Sequence, residues 1–258
     1  MTALSAWAGV EPVERLTGGN RNAVWLALDR GGRRLVVRRS GRPAAALDWE
    51  LDLLSFLDEQ LDRHRAGVPR LVPADDGRRH VDGWLVHEFE HGRRPAGAAD
   101  WRQVVAALRD VHALTTGRPQ RPGFASARHL LTAGRGGDVR LDAMPAAAVE
   151  AVRRAWLPVL DGPECAIHGD LGEGNVLIGD GGRVVLLDWD ESRVDVAAFD
   201  FAFVPDEVAV PFGGDRAALV TAGIAWEAAT CWSAEPDYAR RCLARLQRRL
   251  TGSPGAPA

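Results

Sequence analysis

The run Ala166-Ile167-His168-Gly169-Asp170-Leu171-Gly172-Glu173-Gly174-Asn175-Val176-Leu177-Ile178, followed by Val184-Val185-Leu186-Leu187-Asp188-Trp189-Asp190, carries the residues best suited to chemistry. Residues 176–178 and 184–187 are short, apolar and β-branched-rich, and Gly179-Asp180-Gly181-Gly182 between them is a strong turn signal. The pattern predicts a β-hairpin. A hairpin brings its outer ends together, so Asn175 and Asp188 should lie close in space, with Asp170 on the loop just before. Two carboxylates and one amide oxygen gathered at a strand edge suit a hard divalent cation, with one carboxylate left for another task.

Composition narrows the chemistry further. The 258 residues suffice for one large domain or two lobes, and a net charge of −3 gives no reason to expect nucleic acid or membrane partners. All 32 basic residues are arginine. Without lysine there can be no Walker A loop, Schiff-base enzyme or Ser-Lys dyad. Cys165, Cys231 and Cys242 lack metal or redox spacing and read as free thiols of a reducing compartment. Residues 1–16 have no basic stretch ahead of an apolar one, and no apolar run approaches the ~20 residues of a membrane span. These features predict a cytoplasmic protein.

The elements that must position the site follow in order. Strands are predicted at 13–16, 23–28 and 35–38, joined by the turn-rich stretches 17–22 and 29–32, and a helix over 44–61. Leu47, Leu51, Leu54 and Leu61 give that helix an apolar face, into which Glu50 intrudes. His87-Glu88-Phe89-Glu90-His91 matches the zinc-hydrolase pattern His-Glu-x-x-His, which works only on a helix. Gly83 and Gly92 bound this stretch and Trp84-Leu85-Val86 opens it, which favours a strand. On a strand, His87 and His91 would stand ~13 Å apart. Helices are predicted from Asp100 to about 114, over 145–157, 216–232 and 236–250, and the arginines of the last one read as a solvated basic face.

The wording His-Gly-Asp-Leu-x-x-x-Asn-Val-Leu, then Leu-Asp-Trp-Asp, resembles the aminoglycoside phosphotransferase and choline kinase family. The resemblance implies an α+β, bilobal, protein-kinase-like fold. Residues 1–90 would form a small nucleotide-binding lobe with an antiparallel sheet and one helix, and 91–258 a larger, mainly helical lobe for catalysis and acceptor binding. Asp170 would be the catalytic base toward a substrate hydroxyl, His168 an organiser of its loop, and Asn175 and Asp188 the Mg²⁺ ligands. Gly18, Gly19, Asn20 and Asn22 would lie over the phosphates of ATP (or GTP), and main-chain groups of Glu88, Phe89 and Glu90 would bond the base.

Such a lobe also needs Glu50 paired with a cation on the third strand. The family uses lysine there; Arg38 is the replacement this chain offers, with Arg39 a rival at the strand end. Asp190 and Glu191 would either tune the metal site or end the strand as exposed charges. The segment Asp195-Val196-Ala197-Ala198-Phe199-Asp200 resembles the family's Asp-Pro-x-x-Asp, lacking the proline and with one residue more. Asp200 would support the catalytic loop, and His112 reads as a packed core histidine. For the acceptor, Asp206, Glu207, Glu227, Trp226 and Trp232 are the candidates. The expected activity is transfer of the γ-phosphoryl group to a hydroxyl of a small molecule, an aminoglycoside or other antibiotic, as in antibiotic resistance. Choline, homoserine or sugar kinase, a nucleotide-binding pseudokinase, and more remotely a zinc hydrolase using His87, Glu88 and His91, are the alternatives.

Overall fold

The structure, a computed structural model, describes residues 2–16 and 23–252. Gly18, Gly19, Asn20 and Asn22 lie outside the described residues. In chain order come β1 (Glu11–Arg15), β2 (Ala23–Leu28), β3 (Arg34–Arg39), α1 (Ala44–Gln60), β4 (Ala66–Gly67), β5 (Leu71–Val72) and β6 (Trp84–Glu88). Next are α2 (Ala98–Thr115), α3 (Ala127–Leu130), β7 (Arg135–Gly136), β8 (Val139–Arg140) and α4 (Ala146–Trp156). Then follow β9 (Glu164–Ile167), β10 (Val176–Ile178), β11 (Val184–Leu186), β12 (Arg193–Val196), α5 (Arg216–Thr230) and α6 (Pro236–Thr251). The fold is α+β, and its contacts divide into two units: Met1–Ala107 with Gly172–Asp190, and Leu108–Leu171 with Glu191–Ala258.

The first unit is built on an antiparallel sheet of order β1-β2-β3-β6-β5. Its β2–β3 turn is closed by Asp29, whose Oδ1 accepts from the main-chain N–H of Gly31 (2.8 Å) and Arg33 (2.9 Å). Side chains alternate between the faces of a strand, so the register decides what each face carries. Trp25 opposite Val37, and Val37 opposite Val86, share one face and pack with Leu4, Trp7, Ala27 and Leu35. On the other face Val24 stands opposite Arg38, Arg38 opposite Leu85, and Val36 opposite His87.

Pro43, its φ suited to a helix start, precedes α1. The helix buries Leu47, Leu51, Leu53, Leu54 and Leu57, and it packs against β5. Glu50 is buried with them, 1% exposed. The hairpin β10–β11 pairs Val176 with Leu186 and Ile178 with Val184. Two pairings tie it into this unit: β11 lies parallel to β4, and Arg93 bridges Ile178.

The second unit is mainly helical. α5 packs on α6 and α4, with Asp215 capping α5 through its side chain and Gly252 closing α6 in the left-handed region. β9 and β12 form a two-stranded antiparallel pair, Ile167 opposite Arg193. The short β7–β8 pair sets Arg135 opposite Arg140 and Gly136 opposite Val139. No helix among the described residues is long and apolar enough to cross a membrane.

Leu51 is fully buried beside Glu50. Leu51→Ala should therefore cost about 2–5 kcal/mol, seen as a lower urea midpoint with an unchanged slope.

Candidate active site

The hairpin sets two of the candidate ligands. Main-chain Leu187 N–H donates to the Asn175 carbonyl at 2.8 Å, which extends the pairing to the residues beside Asp188. Asp188 itself has φ +54°, a left-handed conformation that Asp tolerates better than most residues. Asn175 and Asp188 both line a cavity of about 570 Å³ within the first unit. Among the described residues no group of three or more His, Cys, Asp or Glu could hold a metal. One carboxylate and one amide oxygen suit Mg²⁺, which keeps waters and takes phosphate oxygens rather than a full protein cage. The donor set therefore fits that ion.

The same cavity is lined by Arg38 and Glu50. Arg38 Nη2 is ion-paired with Glu50 Oε1, and Arg38 Nη1 stands 3.4 Å from Asp188 Oδ1 and 3.9 Å from Asp190 Oδ1. Burial by itself would lower the pKa of this guanidinium, but the charges of Glu50, Asp190 and Asp188 outweigh it and hold the pKa above its usual value. Arg38 is thus a fixed buried cation. Arg39 points elsewhere, exposed, with its guanidinium 5.8 Å from the Trp84 ring centroid. Asp190 is buried and accepts from Arg42 Nε (3.1 Å) and Nη2 (2.8 Å). Glu191 is buried too, so neither acid is the exposed strand-end charge that was one expectation.

The sequence signal for Glu50 was a carboxylate in an apolar helix face; Arg42 had no such signal. It sits in a Ser-Gly-Arg-Pro loop that reads as ordinary surface, and its partner lies 148 residues away.

The remaining cavity wall comes from the end of β6 and the residues after it. Glu88 N–H donates to the Arg70 carbonyl (2.8 Å), and Phe89 N–H to that of Arg34 (3.3 Å). Arg34 also lays its guanidinium over the Phe89 ring, 3.8 Å from the centroid. Glu90 pairs with Arg183 of the hairpin at 3.0 Å. His87 lies on the strand and His91 beyond its end, so they do not share the helix face a zinc-hydrolase motif needs. His87 is 6% exposed; burial, helped by the Arg38 charge, pushes its pKa down to about 3.

In the second unit, His168-Gly169-Asp170 leaves the end of β9. Asp200 holds this loop: its Oδ2 accepts from His168 N–H (2.8 Å) and its Oδ1 from Gly169 N–H (2.9 Å). His112 Nε2 is 2.8 Å from Asp200 Oδ2, so this histidine is buried as expected but also bonds the residue that carries the loop. Burial would raise the Asp200 pKa; the His112 bond, the His112 and His168 charges and the Gly169 amide reverse that and lower it. Gly169 has φ +85°, and a Cβ there would meet the Glu191 carbonyl oxygen at 2.4 Å, so only glycine fits. His168 Nδ1 accepts from Asp170 N–H at 3.4 Å, while the Asp170 side chain is not buried.

The acceptor candidates divide. Asp206 and Glu207 are exposed, Asp206 lying 3.7 Å from Arg216. Trp226 is packed inside, against Trp156 and Phe199, with the Arg193 guanidinium 3.4 Å over its ring. Trp232 donates its indole N–H to the Ala143 carbonyl, and burial, then the nearby Glu227 charge, raises the pKa of the Tyr238 phenol.

Residues 12–243 match the family model described as the phosphotransferase enzyme family (APH). The chain belongs to that family. No curated protein matches the sequence. Solved structures resemble it in fold. Aminoglycoside phosphotransferase APH(4)-Ia has a TM-score of 0.66 at 15% identity, covering 98% of this chain and 97% of that one. A microcompartment-associated aminopropanol kinase has 0.64 at 19%, covering 97% and 96%. Spectinomycin phosphotransferase APH(9)-Ia, in complex with ADP and spectinomycin, has 0.60 at 12%, covering 96% and 89%. The fold is therefore the protein-kinase-like one of small-molecule phosphotransferases.

Because Asp200 ionises more readily folded than unfolded, its contribution to stability is complete above the unfolded value of about 4 and is lost as pH falls through the folded value. Urea melts should show this loss in wild type and less of it in Asp200→Asn, which at pH 7 should be less stable by about 1–3 kcal/mol. A misplaced loop should also lower kcat of that variant about 10²-fold.

Proposed function

We propose that this phosphotransferase moves the γ-phosphoryl group of ATP, with GTP as the alternative donor, to a hydroxyl of a small cationic molecule. An aminoglycoside or other antibiotic is the leading acceptor class, and resistance the corresponding role. The observation that carries the reading is the buried Arg38–Glu50 pair, set beside Asp188 in a cavity large enough for a nucleotide. A buried guanidinium balanced by carboxylates is a ready counter-charge for polyphosphate.

In this mechanism residues 1–90 bind the nucleotide, and residues 91–258 supply catalysis and the acceptor site. Main-chain groups from Glu88 to Glu90 meet the base, and the glycine-rich stretch with Gly18, Gly19, Asn20 and Asn22 covers the phosphates. Arg38, kept in place by Glu50, neutralises phosphate oxygens. Asn175 and Asp188 would hold Mg²⁺, which would supply positive charge against the phosphates. Asp170, its loop organised by His168, orients the acceptor hydroxyl and takes its proton as the new O–P bond forms, while the bond from the γ-phosphorus to the β,γ-bridging oxygen breaks and ADP leaves. The transition state for such a transfer is loose and charge-rich, so positioning and neutralisation account for the rate. Asp206 and Glu207 attract a cationic acceptor, with Glu227, Trp226 and Trp232 nearby in sequence. Such chemistry belongs in the cytoplasm, where ATP and Mg²⁺ are supplied.

An amino alcohol is the second acceptor reading, favoured by the likeness to an aminopropanol kinase. A screen of aminoglycosides, macrolides, choline and aminopropanol for ADP release separates the two. Asp170→Ala should abolish turnover, leaving ATP affinity within about twofold of wild type, because base catalysis and positioning act on the acceptor rather than on the nucleotide. Full activity in that variant, or loss of ATP binding in a folded protein, would remove Asp170 from its role.

A further inference from the structure

Arg38 stands where the family resemblance implies a lysine, and a guanidinium has three nitrogens to satisfy where an ammonium has one. Two are accounted for: Nη2 on Glu50 and Nη1 on Asp188. The third, Nε, is buried and has no hydrogen-bond partner among the described residues. An N–H donor left buried and unmatched costs about 1–3 kcal/mol, and more on a charged group.

One other orphan lies on the same sheet face. His87 Nδ1 is likewise buried and unmatched, and its ring lines the same cavity as Arg38. The register makes them diagonal neighbours: Leu85 is opposite Arg38, and His87 is two residues farther along the same strand. At that separation a long side chain reaches its diagonal neighbour. The Pro69 and Arg70 carbonyls raise the ring's pKa, as acceptors do, and Nδ1 is unmatched, so the proton is assigned to Nε2. With that assignment Nδ1 is a lone-pair acceptor on the same sheet face as a guanidinium whose Nε–H is unmatched. His87 also stays neutral, as an acceptor for an arginine must.

We propose that His87 is a positioning residue for Arg38: its Nδ1 accepts from the Arg38 Nε–H across one bridging water, and so fixes the guanidinium plane that meets the nucleotide phosphates. The three-point hold, by Glu50, Asp188 and His87, is what lets an arginine serve in a lysine's place. Its kinetic consequence rests on the phosphotransfer reading; the contact itself does not.

A four-protein cycle tests it: wild type, His87→Leu, Arg38→Lys and the double variant. With arginine present, His87→Leu should lower kcat/KM for the nucleotide about tenfold while KM for the acceptor stays within about twofold; in the Arg38→Lys background the same change should have almost no effect. His87→Asn, whose amide oxygen can replace Nδ1, should restore most of the loss. Equal losses in both backgrounds, or no loss with arginine present, would overturn the proposal. Where His87→Leu does not fold, His87→Gln and His87→Asn in both backgrounds carry the comparison.

Nitrogen-15 spectra of the wild type decide the contact without turnover. His87 should be the neutral Nε2–H tautomer at pH 7, and the Arg38 Nε–H resonance should move in His87→Asn more than in a remote control. A charged or Nδ1–H ring, or an unmoved Arg38 signal, refutes the contact. If wild type neither binds nucleotide nor transfers phosphate, the functional reading falls, and these spectra still decide the contact.

Discussion

The ion pair between Arg38 and Glu50 sets requirements that much of the first unit meets. Arg38 is 7% exposed and Glu50 1%, and neither could be buried alone without a penalty of several kcal/mol. Their meeting requires β3 to present Arg38 toward α1, which fixes the parity of that strand: Val37 and Leu35 then face the opposite core with Trp7 and Val86. It also requires α1 to place Glu50 among leucines, where a carboxylate without a partner would be intolerable. A buried pair is a poor source of net stability compared with apolar side chains of the same volume. In the proposed function its place at the cavity wall supplies a counter-charge for phosphate.

Around that pair the carboxylates are arranged by charge. Arg38 reaches Asp188 and Asp190, and Arg42 takes Asp190 from a second side. Asp190 is thereby tied to the loop ahead of α1, while the Asp188 side chain, 39% exposed, stays open to the cavity. In the second unit a different carboxylate does comparable work. Asp200 gathers two main-chain amides and a histidine, which holds the turn at Gly169 in a backbone conformation that only glycine can adopt there.

Local features of the chain made much of this legible. The β10–β11 hairpin followed from two β-branched runs around a glycine-rich turn, and α1 from leucines at helical spacing with Pro43 at its start. Asp200 was legible through a family-like segment even though its spacing was irregular. What could not be read were pairings across long separations. Nothing near Arg42 announces Asp190, and nothing near His112 announces Asp200. β9 and β12 are four residues each, too short for periodicity to declare them. Trp226 is another case: its helical spacing fits a core residue and a pocket wall equally, and only packing against Trp156, Phe199 and Arg193 places it inside.

In the proposed function a buried arginine, held by a helix glutamate, meets the phosphates of the nucleotide. Calorimetric titration of Glu50→Gln with a non-hydrolysable ATP analogue and Mg²⁺ tests it most directly. The expected result is an affinity at least about tenfold weaker than wild type, or 1.4 kcal/mol, in a protein with an unchanged circular dichroism spectrum. Wild-type affinity in that folded variant would contradict it.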